Sequence, residues 1–135
     1  MRRRCLSNDT VVLDASALLA LLQNEPGAEV VAELVPFGAM SAVNLSEVVA
    51  KLMDHGVPLE EAREALDGLP IDVHAFDRDA AFAAGALRRV TRGAGLSLGD
   101  RACLALAARL GVAAITADRA WASLGNGVAR VTLVR

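Results

Sequence analysis

The chain has 135 residues, 54% hydrophobic and 22% charged, which suits one compact domain with a buried interior and excludes a disordered segment. A net charge of −2 gives no general basic field for nucleic acid, and Phe37, Phe76, Phe82 and Trp121 are too few aromatics for a base-stacking platform. Any such contact must come from local arginines; Lys51 is the only lysine among 14 basic residues, a bias that favours planar phosphate recognition and that genome composition would also produce.

At the N-terminus, Met1-Arg2-Arg3-Arg4 ahead of the apolar run 11–22 imitates a leader peptide. Asn8 and Asp9 stand before that run and Asp14 interrupts it, so a flexible tail over 1–9 is expected, ahead of a strand and helix in a single domain spanning 1–135. Cys5 and Cys103 are too few for a disulfide framework, and no stretch reaches the ~20 apolar residues a bilayer span needs. A cytoplasmic protein with reduced thiols and no membrane association is expected.

Thr10–Leu13 reads as a short buried strand, followed by a helix over Ala15–Gln23 that Asn24-Glu25-Pro26-Gly27 stops. A second helix, Ala28–Val35, ends at Pro36, and Gly38–Ser41 is a brief strand. Ala42–Asp54 carries apolar residues at 45, 48, 49 and 52, a helical period, and Leu59–Leu66 is amphipathic. Ile71–Phe76 alternates as a strand, and Asp77–Arg92 is an alanine-rich helix closed by Gly93 and Gly95. Leu98–Leu110 is apolar nearly all round and so deeply packed. A strand over Val112–Thr116, a short segment around Trp121, a loop at Gly125-Asn126-Gly127 and a last strand, Arg130–Val134, complete the chain. Unbroken apolar strands alternating with helices predict an α/β/α sandwich around a small, mainly parallel sheet.

Four acids sit at the seams of this pattern. Asp14 ends the first strand, Glu47 lies on an apolar-striped helix, Asp100 opens the long apolar helix, and Asp118 falls two residues past a strand. Each has a structural reading. Asp14 and Asp118 can cap the turns that follow them, while Asn44/Glu47 and Ser97/Asp100 have capping-box spacing. The set has another reading, because open parallel sheets collect ligands beyond the carboxyl ends of their strands. Four convergent carboxylates would repel unless a hard cation such as Mg²⁺ or Mn²⁺ joined them. Such an ion, or two about 4 Å apart, would serve phosphoryl chemistry. Lys51, four residues after Glu47, is that acid's local alternative partner. Arg101 and Arg119 directly follow two of the acids and are candidate phosphate contacts; Arg88, Arg89 and Arg92 either extend that track or form an ordinary solvated face.

The motifs 11-VVLDASAL-18, 44-NLSE-47, 96-LSLGDRAC-103 and 115-ITADRAW-121, in this order over nearly the whole chain, resemble those of PIN-domain nucleases, and the short length resembles the VapC-type toxins of toxin–antitoxin pairs. That resemblance implies a Mg²⁺- or Mn²⁺-dependent endoribonuclease with Asp14, Glu47, Asp100 and Asp118 at the metal, supported by Ser16 and Thr116. It also implies a cognate antitoxin and toxin homodimers. Other classes are a DNA-directed nuclease of the same chemistry and a Mg²⁺-binding receiver-like switch domain. The latter would want an early acid doublet and a lysine ending a late strand, and this chain has neither.

Overall fold

The computed structural model describes residues 9–124 and 127–135. Except for Asp9, the expected tail, with Cys5, lies outside the described residues, as do Gly125 and Asn126 of the expected loop. The elements are β1 (Val11–Leu13), α1 (Ala15–Leu22), α2 (Ala28–Leu34), β2 (Gly38–Ser41), α3 (Ala42–Asp54), α4 (Leu59–Asp67), β3 (Asp72–His74), α5 (Arg78–Ala86), α6 (Arg88–Thr91), α7 (Leu98–Leu110), β4 (Ala113–Thr116) and β5 (Val131–Leu133). Short 3-10 turns cover Val35–Phe37, Arg92–Ala94 and Arg119–Leu124.

The strands form one parallel sheet in the order β3-β2-β1-β4-β5. Alternation along each strand sends successive side chains to opposite faces. Leu13, Met40 and Ile115 pack on one face with Leu18, Val31, Val48, Leu52 and Ala62 from α1 to α4. Val12, Ala39 and Ala114 pack on the other with Cys103, Leu104 and Ala107 of α7 and with Trp121. Two covered faces make the three-layer α/β/α sandwich that the apolar strand runs predicted. The chain winds outward from β1 through β2 to β3, then crosses back to β4, so strand order reverses at the β1–β4 pair. That reversal opens a crevice at the carboxyl ends of these two strands.

The last inner element, α7, runs through the core: every residue from Ala102 to Ala107 is buried. Its C-terminus is closed by Gly111 in the left-handed conformation (φ +70). Among the described residues, no helix is long and apolar enough to cross a membrane.

Two elements differ from the sequence expectation. The strand expected over Ile71–Phe76 holds only at Asp72–His74, because its sole partner, β2, ends at Ser41, which pairs with His74 and then caps α3. Without a neighbouring ladder, Ala75 and Phe76 leave the sheet, and Val73 on this edge is 43% exposed. The single helix expected over Asp77–Arg92 breaks at Leu87, whose N–H bonds Ala84 three residues back while its carbonyl accepts the Thr91 hydroxyl at 2.8 Å. Helix-weakening Gly85 just before this point, and a threonine bonding back onto the backbone, account for the interruption.

Candidate functional site

Asp14 follows β1 directly, and its backbone N–H still donates to Ile115 of β4 at 3.0 Å. Its side chain caps α1 by accepting from the Ala17 N–H at 2.8 Å. It also accepts from the Ser16 hydroxyl (2.8 and 3.0 Å to its two oxygens) and from the Thr116 hydroxyl at 2.8 Å. All these donors are neutral, and Asp14 is only 3% exposed. Burial therefore pushes its pKa up to about 6, with the charge of Asp100 adding to the rise and the three hydrogen bonds opposing it.

Ser16 and Thr116 tie the two strand ends together. Their hydroxyls lie 3.2 Å apart, Ser16 accepts from the Ala117 N–H at 3.0 Å, and Thr116 accepts from the Asp118 N–H at 3.0 Å. One hydroxyl, Thr116, thus links the Asp14 carboxylate to the backbone of Asp118. The Asp118 side chain is exposed and accepts from the Ala120 N–H at 2.9 Å, as a turn cap does.

Asp100 and Ser97 form a reciprocal capping box at the start of α7, with bonds of 3.0 and 3.2 Å. The capping box expected for Asn44 and Glu47 does not form. Ser41 is the N-cap of α3 and accepts from Val43, which places Asn44 inside the first turn with its side chain turned into the protein. Glu47, partly buried, accepts from Asn44 at 3.1 Å. Burial raises its pKa, the Asn44 bond lowers it, Asp100 raises it further and Lys51 draws it back.

The structure brings Asp14, Glu47 and Asp100 close enough that the charge of Asp100 acts on both others; all three push up the proton affinity of the buried Cys103 thiol, after burial itself. Among the described residues none of the four acids is in an ion pair, and Asp100, Glu47 and Asp118 each keep one carboxylate oxygen without a hydrogen-bond partner. Nor does any group of three Asp, Glu, His or Cys side chains among these residues close into a ligand cage. An oxygen-only donor set with spare lone pairs still fits a Mg²⁺-like ion, which keeps several waters and takes few protein ligands.

The arginines are placed differently from one another. Arg101 turns toward α5, donating to the Ala84 carbonyl at 3.2 Å, and its Nε is buried without a partner. Arg119 is exposed beside Asp118, and Arg88, Arg89 and Arg92 are exposed on and after α6. Next to Glu47, an open groove is lined by Val43, Ser46, Phe76, Leu98 and Gly99.

Sequence reasoning passed over Asn44 and Gly99 as site residues. The signal was present: Asn44 is a polar residue four positions before Val48 on the inward stripe, and Gly99 is a glycine in a helix's first turn beside an acid.

The family model for the PIN domain matches residues 11–127. Among solved structures, the fold is similar to a toxin–antitoxin complex from Klebsiella pneumoniae (TM-score 0.72, 23% identity, 93% of this chain and 98% of that one). It is also similar to a DNA-bound VapBC from Salmonella typhimurium (0.71, 16%, 93% and 98%) and to VapBC-1 from nontypeable Haemophilus influenzae (0.68, 19%, 93% and 98%). Comparison with curated protein sequences finds no match.

Proposed function

The chain belongs to the PIN domain family, and on that premise we propose that it is a metal-dependent endoribonuclease, the toxin of a toxin–antitoxin pair. The observation that carries this reading is poorly compensated negative charge: Asp100 acts electrostatically on both Asp14 and Glu47, Lys51 opposes it at Glu47 alone, and among the described residues no ion pair joins any of the three. Asp14, Asp100 and Asp118 would hold Mg²⁺ or Mn²⁺, with Glu47 bound directly or through water. When bound, the ion supplies positive charge against the phosphodiester and acidifies water.

The chain's own residues supply position. Ser16 and Thr116 fix both oxygens of Asp14, so the carboxylate does not rotate as substrate enters. Glu47, with raised proton affinity and a free Oε2, orients the attacking water and accepts its proton. Arg119 is free to meet a phosphate. Arg101 reaches one only by releasing the Ala84 carbonyl.

The apolar groove beside Glu47 suits a partner segment with apolar side chains and one basic residue that reaches the acids. This is the proposed seat of an antitoxin, and the toxin–antitoxin assemblies among the structural neighbours support it. Exposed Phe82 on α5 and Val90 on α6 are candidate contacts for a second copy of the toxin.

The test is cleavage of a single-stranded RNA and of the DNA of the same sequence, with Mg²⁺ and with EDTA. RNA cleavage that EDTA abolishes, that Asp14→Asn removes and that spares DNA is expected. Cleavage that persists in EDTA, or in highly purified Asp14→Asn, refutes the site. Equal cutting of DNA refutes the substrate class.

A further inference from the structure

Asn44 is 1% exposed, and its carboxamide Nδ2 donates twice, to Glu47 Oε1 at 3.1 Å and to the Gly99 carbonyl at 2.9 Å. One amide group therefore joins α3 to the first turn of α7, the turn that also carries Asp100. Its orientation follows from chemistry: flipped, the amide would aim its oxygen at two acceptors. The amide oxygen Oδ1 is buried with no partner among the described residues. The two donated bonds, to Glu47 and to Gly99, are what fix this side chain in place.

Gly99 contributes independently. A Cβ at this position would overlap the Glu47 carboxylate. The carboxylate thus occupies the room that a side chain would fill. Gly99 does not have a positive φ, so its backbone would accept an alanine, which is also the better helix former. What forbids the methyl group is Glu47.

We propose that Asn44 and Gly99 are a positioning pair for Glu47: the amide holds its carboxylate, and the missing Cβ admits it to the first turn of α7 beside Asp100. Neither residue touches substrate, and both act through Glu47. This inference rests on the reading of Glu47 as part of the metal site.

The experiment compares full-length wild type with Gly99→Ala, Asn44→Leu and Glu47→Gln, and with each of the first two combined with Glu47→Gln. Two quantities are measured: Mn²⁺ affinity from the free-ion electron spin resonance signal, and the kcat and KM of RNA cleavage. Gly99→Ala and Asn44→Leu should reproduce the Glu47→Gln defect, about 10- to 100-fold in Mn²⁺ affinity or kcat. In the Glu47→Gln background each should add less than about twofold, because the carboxylate they position has already been replaced.

Single variants with wild-type Mn²⁺ affinity and kcat, or defects that multiply with that of Glu47→Gln, overturn the proposal. A lowered melting temperature with both quantities intact does the same, since it reads as packing alone. Should Asn44→Leu fail to fold, Gly99→Ala decides. Wild type that binds no Mn²⁺ refutes the metal site itself, a failure distinct from intact binding in the variants.

Discussion

Asp14→Asn should make this protein more stable while removing its proposed activity. The usual carboxylate pKa of 3.8 rises to about 6 in the folded chain, chiefly because burial strips water from the charged form. At 1.36 kcal/mol per pH unit, holding Asp14 ionised at neutral pH costs about 3 kcal/mol of stability. An amide carries no charge and keeps an oxygen for the Ala17 N–H. It cannot accept from Ser16 and Thr116 with two oxygens, which gives back about 1 kcal/mol.

The net expectation, without metal, is a variant about 2 kcal/mol more stable than wild type at pH 7.5. The sign follows from proton binding. Between pH 3.8 and about 6 the folded wild type holds more protons at Asp14 than the unfolded chain, so its stability falls as pH rises through that window. The amide does not titrate, so the variant's advantage should shrink as pH is lowered through 6 and be gone below pH 4. Urea unfolding in EDTA at pH 7.5, 5.5 and 4.0 measures this, provided the m-values agree. A variant less stable than wild type at pH 7.5, or a difference unchanged across the series, refutes the reasoning. Added Mg²⁺ should stabilise wild type and leave the variant unmoved.

Thr116→Val keeps the shape but removes the hydroxyl shared by Asp14 and Asp118, so nuclease activity should fall about 10- to 100-fold with the fold retained; activity equal to wild type would show that this bridge positions nothing. Ser97→Ala breaks the capping box at α7 and should cost about 1 kcal/mol in urea unfolding, while an unchanged midpoint would deny the cap any weight. Gly27→Ala and Gly56→Ala both force a side chain onto a positive φ, but only at Gly27 would the new Cβ meet Val134, 2.8 Å from its carbonyl oxygen. Gly56→Ala should cost about 1 kcal/mol and Gly27→Ala about 1–3 kcal/mol more. Equal melting temperatures would refute the crowding.

The fold was legible because its strands are nearly pure apolar runs. Val11-Val12-Leu13 and Ala113-Ala114-Ile115 need cover on both sides, and only helices on both faces of a parallel sheet give it. The edge was less legible: nothing local in 71–76 records that its partner strand stops at Ser41. The α5–α6 break was hidden for a related reason, since a run of alanines scores as helix through Leu87 whatever the Thr91 hydroxyl does.

At the site, capping and charge clustering turned out to be properties of the same side chains. Asp14 and Asp100 are caps, as their spacing suggested, and they also act on one another across the crevice, which spacing cannot show. Asn44 illustrates the limit most sharply. Its spacing to Glu47 suggested a helix cap, whereas the role it takes depends on Gly99, a residue 55 positions away.

The bond from Thr116 to Asp14 spans 102 residues of sequence, and β1 has β4 as a neighbour on the same long return. During synthesis, the first strand leaves the ribosome with its carboxylate exposed to water and only the adjacent Ser16 hydroxyl, not that of Thr116, within reach. Closing so distant a contact is slow by nature, because the ends of a long loop must be brought together before the contact stabilises anything. The crevice therefore cannot be complete until residue 118 has been made and has left the ribosome, and a polypeptide cut short before β4 carries Asp14 without its cross-strand partners. The first acid of the site to be synthesised thus waits on one of the last residues for its final geometry.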